Sequence, residues 1–120
     1  MIRGVRGAIT VSENNEAEIV AATEKLLKYM VQENNIIADT VASVFISVTE
    51  ELTATFPAKA LRMLEGWTFV PVMCMKEIPV PGSLKSCIRI MMHVNTNQNQ
   101  ADISHIYLDG AQGLRPDIPK

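Results

Sequence analysis

A chain of 120 residues, 48% hydrophobic and 20% charged, suits one compact domain with a single core, and a second domain is not expected. Its net charge of −2, with signs mixed along the chain, gives no case for nucleic-acid binding, which usually requires a basic stripe. No apolar run approaches the roughly 18 residues that cross a bilayer, and Arg3 and Arg6 stand where a signal peptide would begin its apolar region, so a cytoplasmic protein without membrane association is expected.

Residues 2–11 alternate as a strand, with Val5, Ile9 and Val11 on one face and Gly4, Arg6 and Ala8 on the other. Arg6 therefore has small neighbours that leave room for a ligand, although a surface arginine on a half-buried strand fits the same pattern. Asn15 and Glu18 have the spacing of a capping box, and Glu16 and Glu18 suit the positive end of a helix dipole. The spacing of Ile19, Ala22, Leu26, Leu27, Met30 and Val31 then predicts one amphipathic helix from Glu16 to about Asn34 and Asn35.

Residues 41–48 are short and rich in β-branched side chains, which predicts a buried strand, and Glu50 and Glu51 mark a loop. Pro57 fits the first turn of a short helix through Leu64, ended by Gly66. Strands are predicted at about 68–74, 84–94 and 104–108, the last two separated by a polar loop at 95–100. This order gives an α+β domain with a mixed, mainly antiparallel five-stranded sheet, one long helix and one short helix. One long helix cannot cover both faces of five strands, so the second face is expected to be buried by self-association into a closed ring.

Several polar residues break this scaffold. Arg89 interrupts the apolar strand Cys87–Val94, where a guanidinium needs an anionic partner to offset its desolvation. Glu77 stands on the other side of the Pro79-Val80-Pro81-Gly82 turn from it. Phe56, Lys59 and Arg62 surround a helix start, with the two cations three residues apart, an arrangement that equally describes a solvated basic face. Tyr107 lies on a strand and Arg115 in a Gly- and Pro-flanked tail that is either a closing flap or a frayed end. His93, His105, Cys74 and Cys87 include no pair at short ligand spacing, so no metal is expected, and the two thiols are expected to be reduced. Cys74 has no nucleophile-and-base signature, no glycine-rich phosphate loop is present, and the methionines read as core filler.

The words of the sequence carry further than its pattern. Arg3-Gly-Val-Arg6-Gly-Ala8, Phe56-Pro-Ala-Lys59-Ala-Leu-Arg62, Gly66-Trp67, Val70-Pro-Val72, Cys74-Met, Cys87-Ile-Arg89-Ile-Met-Met and Leu114-Arg115-Pro-Asp117 run in order over the chain. Together they resemble the monofunctional AroH-class chorismate mutases, from residue 2 to about residue 118. Met73, where that pattern leads one to expect threonine, His93 in place of a smaller polar residue, and Gly110 and Gly113 depart from it.

The resemblance implies a homotrimer whose sheets form a central barrel-like core, with active sites at the subunit interfaces. It implies the pericyclic rearrangement of chorismate to prephenate, on the route to phenylalanine and tyrosine, with no cofactor and no metal. By similarity Arg89 serves the ether oxygen and a carboxylate, Arg6 a carboxylate, Glu77 the ring hydroxyl with Cys74 as a lesser partner, and Tyr107 a carboxylate. Phe56, Ala58, Lys59 and Arg62, with Val72 and Met73, would form a wall and basic approach, the first four from a neighbouring subunit. Leu114 and Arg115 would belong to a mobile tail, 109–120, of a single domain spanning 1–120. Two other readings are a non-catalytic trimer that binds small dicarboxylates and an imine or enamine deaminase on a similar trimeric fold. Glu77 and Tyr107 favour the mutase, because a deaminase needs a positioned water more than a hydroxyl acceptor opposite a cation.

Overall fold

The structure is a computed structural model and describes residues 1–114. Five strands, β1 (Ile2–Thr10), β2 (Val41–Val48), β3 (Val72–Lys76), β4 (Cys87–Asn95) and β5 (Ile106–Leu108), and one long helix, α1 (Glu16–Asn34), make up its regular elements apart from short 3₁₀ turns. The sheet order is β3-β2-β4-β1-β5. Its centre is antiparallel, β4 pairing with both β1 and β2, and its two outer pairings, β1 with β5 and β2 with β3, are parallel.

Helix α1 starts where its capping residues dictate. The Asn15 side chain accepts from the Glu18 N–H at 2.8 Å. The return half of the expected box differs, because the Asn15 N–H is taken by the Glu13 carbonyl, and Glu18 reaches back to the N–H groups of Ser12 and Glu13 instead. Asn35, at φ 51°, ends the helix in the left-handed conformation, with its N–H turned to Gln32 and Val31. Between these ends Ile19, Leu26, Leu27 and Met30 are fully buried, with Thr23 among them because its hydroxyl bonds the Ile19 carbonyl at 2.7 Å.

These side chains pack on Val5 and Ile9 of β1, Val44 and Ile46 of β2, and Ile88, Ile90 and Met92 of β4, the core of the molecule. The approach is close at Gly7, where a Cβ would lie 2.5 Å from Met30 Sδ. On the opposite face register alignment sets Tyr107, Ala8, Arg89, Ser47 and Met75 in one row across all five strands. Only one end of this face is covered: Ala8, Cys87 and Tyr107 lie under Ala111, Leu84 and Leu114. Toward β2 and β3 it leaves Phe45, Met73 and Met75 exposed.

Three strands begin later than predicted, each because backbone groups are claimed by side chains or turns. β3 opens at Val72 and not at Thr68, since Arg62 Nη1 gathers the carbonyls of Trp67, Thr68 and Val70 at 2.9–3.0 Å. β4 opens at Cys87, since Ser86 takes a positive φ of 53° and gives its N–H to the Glu51 carboxylate. β5 opens at Ile106, since the Asn34 amide satisfies both the N–H and the carbonyl of Ser104 at 2.8 Å, in the manner of a neighbouring strand. The short helix predicted from Pro57 is a 3₁₀ helix, Pro57–Met63.

Candidate active site

Arg89 sits at the centre of the sheet on the face away from α1, and its neighbours in the row are Ala8 and Ser47. Alternation explains its place: Ile88, Ile90, Met92 and Val94 fill the core, so Arg89, Met91 and His93 must face the other way. Glu77 follows β3 and is anchored by its N–H to the Val48 carbonyl at 2.8 Å, which brings its carboxylate over the same row. Arg89 Nε lies 3.4 Å from Glu77 Oε2, the side chains being 25% and 29% exposed. The contact is ionic without hydrogen-bond alignment, since among the described residues the buried Nε has no hydrogen-bond partner. Glu77 therefore supplies part of the partner that Arg89 requires, and a strongly directed acceptor is still wanted.

Arg6 lies on the same face, opposite Met91 and one pleat from the Ala8–Arg89 pair. Its backbone N–H donates to His105 Nδ1 at 3.0 Å, which fixes this part of β1. Tyr107 is opposite Ala8 and 7% exposed. Leu114 packs into the cluster around Tyr107. Of the segment expected to be a tail, Asp109–Gly113 forms a 3₁₀ turn tied to the body by Gly110 N–H to Thr10 Oγ1 at 2.8 Å and by Lys25 to Asp109 at 3.5 Å. Arg115 lies outside the described residues.

The remaining candidates gather elsewhere. Phe56, Lys59 and Cys74 line a cavity of about 620 Å³ beside the edge strand β3. Cys74 pairs with Ile46, so it faces the α1 side, away from Glu77 and Arg89. Burial pushes its thiol up, opposed by the Ala58 N–H, which keeps it protonated and unsuited to nucleophilic work. Val72 and Ala58 are half-buried against the same core, while Met73 turns to the other face and is exposed. Phe56 is 71% exposed at the rim. Lys59 Nζ meets Glu16 Oε1 at 2.9 Å, and Lys59, then Thr55, hold that carboxyl below the usual range. Arg62 departs from Lys59, because its guanidinium clasps the 67–70 turn.

The candidate residues thus fall into two separate groups on one chain: Arg89, Glu77, Arg6 and Tyr107 on the sheet face away from α1, with Tyr107 at its covered end, and Phe56, Ala58, Lys59 and Cys74 at the β3 edge. Sequence reasoning missed Ser47, whose hydroxyl donates to Glu77 Oε2 at 3.4 Å, and Glu16, which pairs with Lys59. The alternation Ser43, Phe45, Ser47 within an otherwise apolar strand was the signal for the first. Among the described residues no group of three or more metal-ligating side chains converges, and no helix is long and apolar enough to cross a membrane.

The fold and sequence are similar to those of known proteins. The chorismate mutase type I family model matches residues 2–118. Chorismate mutase AroH of Bacillus subtilis (strain 168) is 48% identical over 118 residues, covering 98% of this chain and 93% of the relative. Its namesake in Thermus thermophilus is 44% identical over 119 residues, covering 98% and 97%. Among solved structures, a chorismate mutase from Clostridium thermocellum superposes with a TM-score of 0.89 at 53% identity, over 92% of this chain and 97% of that one. With a family model spanning nearly its whole length and a shared fold, the chain belongs to the chorismate mutase type I family.

Proposed function

We propose that this protein is an isomerase that rearranges chorismate to prephenate in aromatic amino acid biosynthesis, as one domain in a cytoplasmic setting. The observation that carries the reading is the Arg89–Glu77 pair, a cation and an anion fixed on one face and only about a quarter exposed, in a member of this family. The reaction breaks a C–O bond and forms a C–C bond within one molecule, so it asks for positioning and for charge complementarity, with no covalent intermediate.

Arg89 offers a donor to the ether oxygen, where electron density gathers as the C–O bond lengthens. Glu77 accepts from the ring hydroxyl and favours positive character on the ring. Arg6 and Tyr107 hold carboxylates of the dianion with the enolpyruvyl arm folded over the ring, Leu114 borders the site beside Tyr107, and by the resemblance Arg115 is a further substrate-binding residue. Cys74 stays neutral at the edge and contributes polarity without attacking the substrate.

We further infer a homotrimer with sites shared between subunits. Support comes from the separation of the two groups on one chain and from the exposed Phe45, Met73 and Met75 on the sheet face that α1 does not cover. In such a ring, Phe56, Ala58 and Lys59 of one subunit face Arg89 and Glu77 of the next, with Val72 and Met73 on the wall and Arg62 holding its adjoining turn. Loss of the conjugated-diene absorbance of chorismate, with prephenate identified as product, tests the reaction, and Arg89→Ala is expected to abolish it. Mixing Arg89→Ala and Lys59→Ala subunits tests the sharing: at chorismate concentrations where each variant alone turns over slowly, exchange is expected to raise the rate to about a quarter of wild type, as each interface combines halves at random. Wild-type protein that leaves chorismate intact would refute the first proposal, and mixtures without recovery the second.

A further inference from the structure

Ser47 stands opposite Arg89 across the β2–β4 ladder and opposite Met75 across the β2–β3 ladder, so its hydroxyl shares the uncovered face with both. The Glu77 carboxylate hangs over this pair with each oxygen separately engaged. Oε1 accepts from the Ile78 N–H at 3.0 Å, and Oε2 faces the Ser47 hydroxyl and Arg89 Nε, each at 3.4 Å. A carboxylate held through one oxygen can still swing about its terminal bond; a donor on the second oxygen fixes its plane. Arg89 is poorly suited to that duty, because its Nε faces Oε2 at 3.4 Å without hydrogen-bond alignment. Ser47 is the side-chain hydrogen-bond donor to that oxygen.

We propose that Ser47 is a positioning residue that acts on the reaction through Glu77, its hydroxyl holding the carboxylate in the plane that meets the ring hydroxyl of the substrate. The inference rests on the mutase reading. Ser47 touches no substrate in this account, so its effect must vanish when the carboxylate it positions is removed, which separates positioning from mere packing of the strand.

The test is chorismate turnover by Ser47→Ala, Ser47→Thr and Ser47→Val, each also combined with Glu77→Gln. Ser47→Ala is expected to lower kcat about tenfold with KM changed less than about twofold, the loss of one hydrogen bond to a charged group that matters in the transition state. Ser47→Thr keeps the hydroxyl and suits a strand, so it is expected to stay within about threefold of wild type, while Ser47→Val, of the same shape without the hydroxyl, falls with alanine. In the Glu77→Gln background all three are expected to lie within about twofold of one another. Equal losses in both backgrounds, equal rates for threonine and valine, or an alanine variant at wild-type kcat would each overturn the assignment while wild-type turnover leaves the mutase reading intact. A wild-type protein that does not convert chorismate would overturn both.

Discussion

Replacing Arg89 by lysine keeps the positive charge and removes the planar fork. The inner nitrogen, Nε, faces Glu77 Oε2 at 3.4 Å, which leaves the outer edge of the guanidinium for the substrate. An ammonium is a single point, so Arg89→Lys must choose between Glu77 and the ether oxygen. A preorganised donor to an oxygen gathering charge is worth about 3–4 kcal/mol in the transition state, which sets the expected fall in kcat at a hundredfold or more, about 2.7 kcal/mol. The fold should not follow. Lysine keeps an aliphatic stem between Ala8 and Ser47 and a cation for Glu77, so stability is expected to change by less than about 1 kcal/mol. Chorismate turnover measured beside a urea unfolding curve separates the two effects. A kcat within about fivefold of wild type, in a variant with unchanged unfolding, would refute the assignment of Arg89 to the breaking bond.

Glu16→Gln releases Lys59 from its exposed ion pair and is expected to lower KM for chorismate about two- to threefold with kcat unchanged; an unmoved KM would show that Lys59 does not meet the substrate. Gly7→Ala puts a Cβ 2.5 Å from Met30 Sδ and 3.0 Å from Leu26 Cδ1, and overpacking of this kind is expected to cost about 1–3 kcal/mol in urea unfolding, an unchanged midpoint contradicting the close approach of α1. The Glu51 carboxyl is held below its ordinary range by the Thr49 hydroxyl and then the Ser86 N–H, and Glu18 by the Ser12 N–H. Folded-state values below the unfolded value of about 4.3 mean stability present above that pH and lost as pH falls through the folded range, so the urea midpoint should drop between about pH 5 and 3, and less steeply in Glu51→Gln; a flat wild-type midpoint would refute this.

The helix and the central strands were legible because their signals are local. The Asn15 cap on the Glu18 N–H, and the spacing of Ile19, Leu26, Leu27 and Met30, need nothing outside their own segment. The strand edges were not legible, because what ends a ladder here is a distant side chain. Asn34 satisfies Ser104 across 70 residues, and Glu51 reaches Ser86 across 35. No propensity at residues 84–86 or 104–105 encodes those partners. Arg62 shows the same limit at shorter range: its spacing from Lys59 suggests a shared basic face, yet the turn at 67–70 supplies three carbonyls that outcompete solvent for its guanidinium.

The candidate residues could be named from the sequence while their geometry could not, and period-2 alternation explains the difference. An arginine between Ile88 and Ile90 cannot enter the core they fill, so its facing direction follows from sequence. Cys74 obeys the same rule with the opposite result: Cys74 and Glu77 are three residues apart, an odd number, so an extended chain turns them to opposite faces however close they are in sequence. Reading them as neighbours on the grounds of shared function ignored that parity. Residues of the proposed site that a strand sends to opposite faces would meet around one ligand if a second copy brought its β3 edge to the uncovered face of the first. Dissociation to monomers at high dilution is therefore expected to abolish turnover while α1 and the sheet stay folded, and activity per chain that holds steady below the dissociation concentration would break the link between parity and assembly.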